Sequence, residues 1–366
     1  MIASIILFST GIICIIMLFK NIRRLPNSKE VNSDILVSVI VPLRNEEKNV
    51  KNLLEHLLNQ SYSNYEIICV DDSSEDNTYD MTSKYPVELI KAPKKPEGWI
   101  GKSWALLHGT KKANGDLYLF VDADVSLSSN IISDLVSEYI KENKVISIMP
   151  YHKTKLFYEQ FSFFFNYLQY AANGMGFKND KYYLGLYGPI ILMPKKIYQS
   201  IGTHEVVNNS VIEDIDLGIK LHREGYNFSL FMGREDASYR MYPDGFNKLV
   251  QGWSKNQASV FIQIRLMIVL LVAIIIGMYI KIPIVLIKAL ILKNINEIVI
   301  YSIFYWVLVI ILSISSKHIG KYKWYVYILY PIYLAFYLYI FLWSIIKRKL
   351  KIPMLWKGRK INTNVK

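Results

Sequence analysis

The sequence predicts an α/β domain on an open, mostly parallel sheet, set between apolar helices long enough to cross a membrane. Three observations predict it. Between residues 34 and 256, short β-branched apolar runs alternate with segments of helical period. Acidic residues follow two of those runs directly, at the carboxyl ends of strands, where open α/β sheets bind ligands. On either side of this stretch the chain is almost continuous hydrocarbon.

The first strand is Ile35–Val41, apolar and β-branched and followed by Pro42, which suits a strand buried on both faces. Glu47–Gln60 follows as a helix, with Val50, Leu53, Leu54, Leu57 and Leu58 at helical spacing. Tyr65–Val70 is the second strand and runs into Asp71 and Asp72. A polar turn then leads to a short helix, and Val87–Ile90 is a third strand. Ser103–Ala113 reads as a helix and Asp116–Val121 as a fourth strand, ending in Asp122-Ala123-Asp124. Glu213 opens a further helix that runs to Glu224.

The ends carry the membrane expectation. Ile2–Phe19 has eighteen residues without a formal charge, about the minimum for a crossing. Its basic residues (Lys20, Arg23, Arg24) come after the apolar run, which suits an anchor over residues 1–20 with the amino terminus outside and the next domain cytoplasmic. Residues 261–346 hold two to three spans, drawn from Phe261–Ile280, Ile295–Ser315 and Trp324–Ile346, with the run Pro283–Leu292 a possible extra or re-entrant pass. Three crossings would put a cytoplasmic domain and the tail on opposite sides, so the count is set against the charge of the tail. That tail, residues 347–366, carries Lys347, Arg348, Lys349, Lys351, Lys357, Arg359 and Lys360, a set that favours the cytoplasmic leaflet. Much of the net charge of +13 lies beside these spans, which directs it to a membrane surface and away from nucleic acid. The two cysteines, Cys14 in an apolar run and Cys69 in a strand, suit neither a disulfide nor a metal cluster.

Three acidic clusters carry the chemistry. Asp122 and Asp124 offer hard oxygen ligands for Mg²⁺ or Mn²⁺, which bind through one or two carboxylates together with substrate phosphates; the alternative is a polar turn. Asp71 and Asp72 are either turn formers or acceptors for the hydrogen bonds of a base or ribose. Lys102, at a helix start, either holds a diphosphate or is a solvated surface lysine. Glu213, Asp214 and Asp216 open a helix, where carboxylates cap and complement the dipole; alternatively Asp214 is a general base. A hydroxyl acceptor needs such a base, whereas a carboxylic acid is already ionised at neutral pH. A nicotinamide dehydrogenase is excluded, because Pro42-Leu43-Arg44-Asn45-Glu46 stands where a G-x-G-x-x-G turn belongs.

The order VSVIVPLRNEE (37–47), VDDSSEDNT (70–78), GWIGKSWAL (98–106), VDADV (121–125) and EDIDLGIKLHREGY (213–226) resembles family-two glycosyltransferases of the GT-A fold. The resemblance covers nearly the whole 34–256 stretch. It implies a nucleotide-sugar site with Pro42, Arg44, Glu46, Asp71, Asp72, Lys102 and Asp122 on the donor side. It further implies metal on Asp124 with Asp122 in support, Asp214 as base, and inversion in one displacement. Processive members carry Q-x-x-R-W; here Gln251-Gly252-Trp253-Ser254-Lys255-Asn256 lacks the Arg-Trp pair, which argues for a single transfer, with Gln251 and Trp253 on the acceptor side. Segments 150–166, 239–256 and 355–360 resemble the carotenoid-acid (4,4′-diaponeurosporenoate) glycosyltransferases. That likeness implies glucose from UDP-glucose, a greasy acceptor and a multi-pass protein of the cell membrane. The aromatic-rich stretch Phe157–Tyr170 is either an interfacial segment that receives the acceptor or a helix packed in a core. Trp253 likewise faces the acceptor or anchors the interface. Other membrane lipids (diacylglycerol, polyprenyl phosphate, a hopanoid) are the alternative acceptors. An inactive membrane scaffold would have lost Asp72, Asp124 or Asp214, and all three are present. A transporter would need ionisable residues within its spans, and few occur away from their ends.

Overall fold

The computed structural model describes residues 2–27, 31, 33–350, 352, 354–356 and 359–361. By packing, the chain divides into two units. One comprises 23–152, 185–241 and the chain from Ile346; the other comprises the N-terminal residues to Ile22, then 153–184 and 242–345. The expected 34–256 domain therefore holds two stretches, 153–184 and 242–256, that group with the apolar helices.

The first unit is built on strands β1 (Val37–Leu43), β2 (Tyr65–Asp71), β3 (Glu88–Lys91), β4 (Leu117–Val121), β5 (Val125–Leu127), β6 (Val145–Met149), β7 (Tyr151–Lys153), β8 (Ile190–Pro194), β9 (Phe228–Met232) and β10 (Ala237–Tyr239). Seven of them form one sheet in the order β3-β2-β1-β4-β8-β6-β9. β1 pairs in parallel with β2 and β4, β2 with β3, and β6 with β9. Only β8 runs against its neighbours. The sheet is thus mixed and mostly parallel, as the alternation of elements predicts. Val37, Val39, Val41 and Leu43 share one face of β1 and are fully or almost fully buried in the main core cluster. Pro42 does not end the strand. It pairs with Val70 of β2, while β4 is matched only as far as Ile40, so no ladder donor is needed from Pro42 on the β4 side.

Glycines bring the helices onto this sheet. The helix Gly101–Lys112 carries Gly109, where a Cβ would stand 2.4 Å from Cγ2 of Ile40. The helix Glu213–Arg223 touches the chain before β8 in the same way: a Cβ on Gly218 would lie 2.5 Å from Gly185 Cα and 2.8 Å from Leu186 N. The first turns of the two helices meet beyond the carboxyl end of β4, where Lys102 pairs with Asp122 and Glu213.

Within the second unit, Ile2–Phe19, Leu266–Ile291, Ile295–Ser316 and Tyr330–Lys349 are each long and apolar enough to cross a membrane. Their bounds correct the sequence-based spans. Phe261 closes a preceding helix (Phe246–Phe261) instead of opening a span. Pro283–Leu292 is no separate pass, because the helix continues through Pro283 to Ile291. The last span starts at Tyr330, after a short turn of helix over Trp324–Ile328. Gly11 is the close-approach point of the first helix, its missing Cβ standing 2.4 Å from Met278 Sδ. The helix Phe163–Ala172 buries Phe163, Phe164, Phe165, Tyr167 and Tyr170, so of the two readings of that aromatic stretch the packed helix holds, with only Phe157 strongly exposed. Lys347, Arg348 and Lys349 close the last helix, whereas Lys351 and Lys357 lie outside the described residues. Cys14 and Cys69 are both free and buried.

Backbone faces the missing Cβ of Gly218, and backbone cannot rotate away as a side-chain tip can. Gly218→Ala is expected to cost roughly 1–3 kcal/mol by overpacking. A lower midpoint of denaturation in detergent would show it; an unchanged midpoint would mean the helix backs off freely.

Candidate active site

The loops that follow β1 and β2 are braced against each other. Arg44 donates from Nη1 to the carbonyls of Asp72 (2.7 Å) and Ser73 (2.6 Å), and from Nη2 to Glu75 (3.0 Å). The backbone N–H of Glu46 donates to Thr78 Oγ1 at 2.7 Å, and its carboxylate accepts from Asn49 Nδ2 at 2.7 Å. Arg44 and Glu46, read from sequence as donor-side residues, thus shape the cleft wall. Asn45 and Ser73 take left-handed backbone, φ 52° and 56°, at the two turns, and Asn45 accepts from Glu75 N. Asp71 closes β2 with Oδ2 accepting from Ser74 N at 3.2 Å, as a turn former does. Among the described residues its buried Oδ1 has no hydrogen-bond partner. Asp72 is buried beside it, its N–H donating to Leu43 O at 2.8 Å.

The end of β4 and the start of the Glu213–Arg223 helix meet through one dipeptide. Gly188 N–H donates to Asp214 Oδ2 at 2.8 Å, and Pro189 O accepts from Asp122 N at 3.0 Å. The second oxygen of Asp214 accepts from Ile215 N at 2.9 Å. A Cβ on residue 188 would stand 3.0 Å from both Asp214 Oδ2 and Lys102 Nζ, so any side chain there would have to push one of these two groups aside. Lys102 sits in the first turn of its helix with Nζ 2.7 Å from Asp122 Oδ1, 2.9 Å from Asp122 Oδ2 and 3.1 Å from Glu213 Oε1. It is an ion-paired, partly exposed lysine and not a freely solvated surface one.

Charge follows from this geometry. Burial works to strip the Lys102 proton, but Asp122, Glu213 and Asp214 outweigh it and hold the ammonium above its ordinary value. Burial, then the neighbouring charge of Glu213, pushes Asp214 up to about 6, against the pull of Lys102 and the two N–H donors. Behind the cluster, burial lowers His204 to about 4, and its Nδ1 lies 2.7 Å from Tyr198 Oη. Its loop is tied to the Lys102 helix, Ile100 N donating to Asn208 O at 2.6 Å.

Asp122 and Asp124 offer the hard oxygens that Mg²⁺ or Mn²⁺ prefers. Among the described residues no group of three His, Cys, Asp or Glu could hold a metal ion by itself. Two carboxylates completed by phosphate oxygens fit such a cation; a structural metal site does not.

Comparison with known proteins bears on residues 38–197 and on their surroundings. Residues 38–197 match the model of glycosyl transferase family 2. They form a family 2 glycosyltransferase domain. The 4,4'-diaponeurosporenoate glycosyltransferase of Staphylococcus aureus (strain USA300) is 30% identical over 229 residues, 61% of this chain and 61% of that one. The protein of the same name from strain MRSA252 matches to the same extent. The chain thus aligns with about three fifths of the length of these relatives. A Pyrobaculum calidifontis mannosyltransferase, solved with GDP-Man and Mn²⁺, superposes with a TM-score of 0.55 at 13% identity, over 93% of this chain and 98% of that one. At that identity the likeness shows the GT-A fold.

Of the residues singled out from sequence, Asp71, Asp72, Lys102, Asp122, Asp124 and Asp214 fall in the strand-built unit at strand ends or helix starts. Gln251 and Trp253 lie on the Phe246–Phe261 helix of the other unit. Trp253 is buried there, stacked on Phe165 at 4.5 Å and donating to Ser162 Oγ at 3.0 Å, which fits a packing role. Gly188, Pro189 and His204 escaped the sequence reading. An isolated glycine just before a strand was the one available signal of close backbone approach.

Asp214 gains a proton on folding between its unfolded value near 4 and its folded value of about 6, so ionising it costs stability as pH rises through that window. Asp214→Asn should therefore be more stable than the parent at pH 8, on the order of 1 kcal/mol. The advantage should vanish below pH 4. Parallel denaturation curves at the two pH values check both parts.

Proposed function

We propose that this chain is an inverting, metal-dependent hexosyltransferase that carries glucose from UDP-glucose to a membrane lipid, most specifically a carotenoid carboxylic acid. The observation that carries the reading is the fixed carboxylate of Asp214, held by two N–H donors beside the Lys102–Asp122 pair. The name of the S. aureus relatives supports the carotenoid acid, and the family 2 domain supports the transfer.

In this reading the nucleoside lies against Asp71 and Asp72, and Oδ1 of Asp71, buried and without a partner among the described residues, accepts a base or ribose donor. Asp124, with Asp122 in support, would hold Mg²⁺ or Mn²⁺, whose charge offsets that of the diphosphate as it leaves. An acceptor oxygen bonds to the anomeric carbon from the face opposite the diphosphate. The anomeric carbon–oxygen bond breaks in the same step, and UDP departs with the electron pair. A hydroxyl acceptor gives its proton to Asp214; a carboxylate acceptor has none to give. The domain (34–256) works from the cytoplasmic side, anchored by the segment 1–20 and the spans within 261–346; a cytoplasmic tail (347–366) then requires that one of the three helices Leu266–Ile291, Ile295–Ser316 and Tyr330–Lys349 does not cross.

One observation favours a second reading of the acceptor. A carboxyl raised to about 6 is a stronger base than an ordinary aspartate, which suits the hydroxyl of a lipid such as a diacylglycerol, a polyprenyl phosphate or a hopanoid. The readings separate when detergent-solubilised protein, radiolabelled UDP-glucose and total membrane lipid are incubated with Mn²⁺. Label in a coloured lipid that mild alkali releases identifies a glycosyl ester. Alkali-stable label identifies a hydroxyl acceptor, and the rate should then fall about tenfold per pH unit below 6 as Asp214 protonates. Absence of label from every UDP-sugar would refute the donor assignment.

The D-x-D assignment has its own check. Asp124→Ala should abolish transfer to either acceptor, by about 100-fold or more, whereas Asp214→Ala should do so only for a hydroxyl acceptor, whose proton it takes. Only Asp124→Ala should weaken UDP binding in the presence of Mn²⁺, measured by calorimetry. Equal UDP affinity with and without metal in the parent would sink the assignment.

A further inference from the structure

The ammonium of Lys102 lies within hydrogen-bond distance of both oxygens of Asp122 and of one oxygen of Glu213. The pair is only partly solvated, the two side chains being 27% and 25% exposed, so the attraction is not screened as at an open surface. Two carboxylates are the most that the D-x-D segment offers a cation, and among the described residues no third ligand stands ready. One of those two already carries a full positive charge from within the chain.

We propose that Lys102 is the built-in counter-ion of the D-x-D carboxylate, competing with a divalent cation for Asp122 until a diphosphate draws the ammonium away. The inference rests on the reading of Asp122 and Asp124 as cation ligands. Cation alone must displace an ion pair and find its remaining ligands in water, so it binds weakly. Cation with a nucleoside diphosphate gains phosphate oxygens, and the released ammonium gains a phosphate partner of its own. Binding of cation and nucleotide is thereby coupled, and a stray cation does not occupy the cleft ahead of the donor. Lys102 acts through Asp122 and is in this sense a positioning residue. Gly188 leaves the room for it, since a side chain there would meet Nζ at 3.0 Å.

The test measures Mn²⁺ affinity by electron paramagnetic resonance on the full chain in detergent, without nucleotide and with UDP. Lys102→Met, which keeps length and loses charge, should bind Mn²⁺ alone at least tenfold more tightly than the parent, and Mn²⁺ with UDP more weakly. Lys102→Arg should restore weak binding of Mn²⁺ alone. If the parent binds Mn²⁺ with UDP but Lys102→Met leaves the affinity for Mn²⁺ alone unchanged or lower, the counter-ion role is overturned and the nucleotide-sugar reading stands. If the parent binds no Mn²⁺ even with UDP, both fall. A second measurement needs no variant: saturating Mn²⁺ alone should speed acetylation of the Lys102 amine in the parent, read by mass spectrometry. An unchanged rate would count against displacement.

Discussion

Everything at the cleft depends on two backbones touching where Gly185 and Gly218 face each other. That contact seats the Glu213–Arg223 helix against the chain entering β8. From it follow the short reach of Gly188 N–H to Asp214 and, one residue on, the acceptance by Pro189 O of Asp122 N–H. A carboxylate from the third acidic cluster and one from the second are then registered on a single dipeptide. Their separation is set by main-chain geometry, which is stiff, and not by long side chains, which are soft.

The same economy governs charge. Four carboxylates, those of Asp122, Asp124, Glu213 and Asp214, arise from one strand end and one helix start, and Lys102 pairs with two of them. The arrangement leaves Asp214 raised and Lys102 firmly protonated, two opposite perturbations produced by the same crowding. Sites that drive titratable neighbours apart in this way are poised for proton or phosphate chemistry. On the other side of the cleft, Arg44 donates to main-chain carbonyls and so ties together the loops that follow β1 and β2.

Much of this was legible in the residues. β1, β2 and β4 are apolar and largely buried, β1 and β2 rich in β-branched residues, and their ends fall within two residues of where the apolar runs stop. The acidic pairs were readable because charge immediately after such a run has few roles other than turn or ligand. What periodicity could not show was pairing. β8 enters antiparallel between β4 and β6, and nothing local in Ile190–Pro194 distinguishes that from a parallel strand. Nor could it show that 153–184 would side with the apolar helices, since a core helix and an interfacial one share the same aromatic composition. Pro283 misled for a plain reason: a proline marks a break in a water-soluble helix, yet Leu266–Ile291 runs through it. Gly188 stayed hidden because its importance lies in what it omits.

The chain just after the first apolar helix has a consequence of another kind. Met232 N–H donates to Arg23 O at 2.8 Å and Arg24 bridges to Met232 in parallel, so this short extended segment lies along the free margin of β9. Arg23 is held there by Glu142 at 2.6 Å and by the face of Phe231. An open sheet with an uncovered border is a template on which other chains can add strands. Here the chain leaving the first apolar helix serves as a partial selvedge, covering the edge at Met232, the last residue of β9. Where such an edge meets copies of the same chain at high local concentration, even one residue of covering backbone removes one position at which a foreign strand could begin to pair.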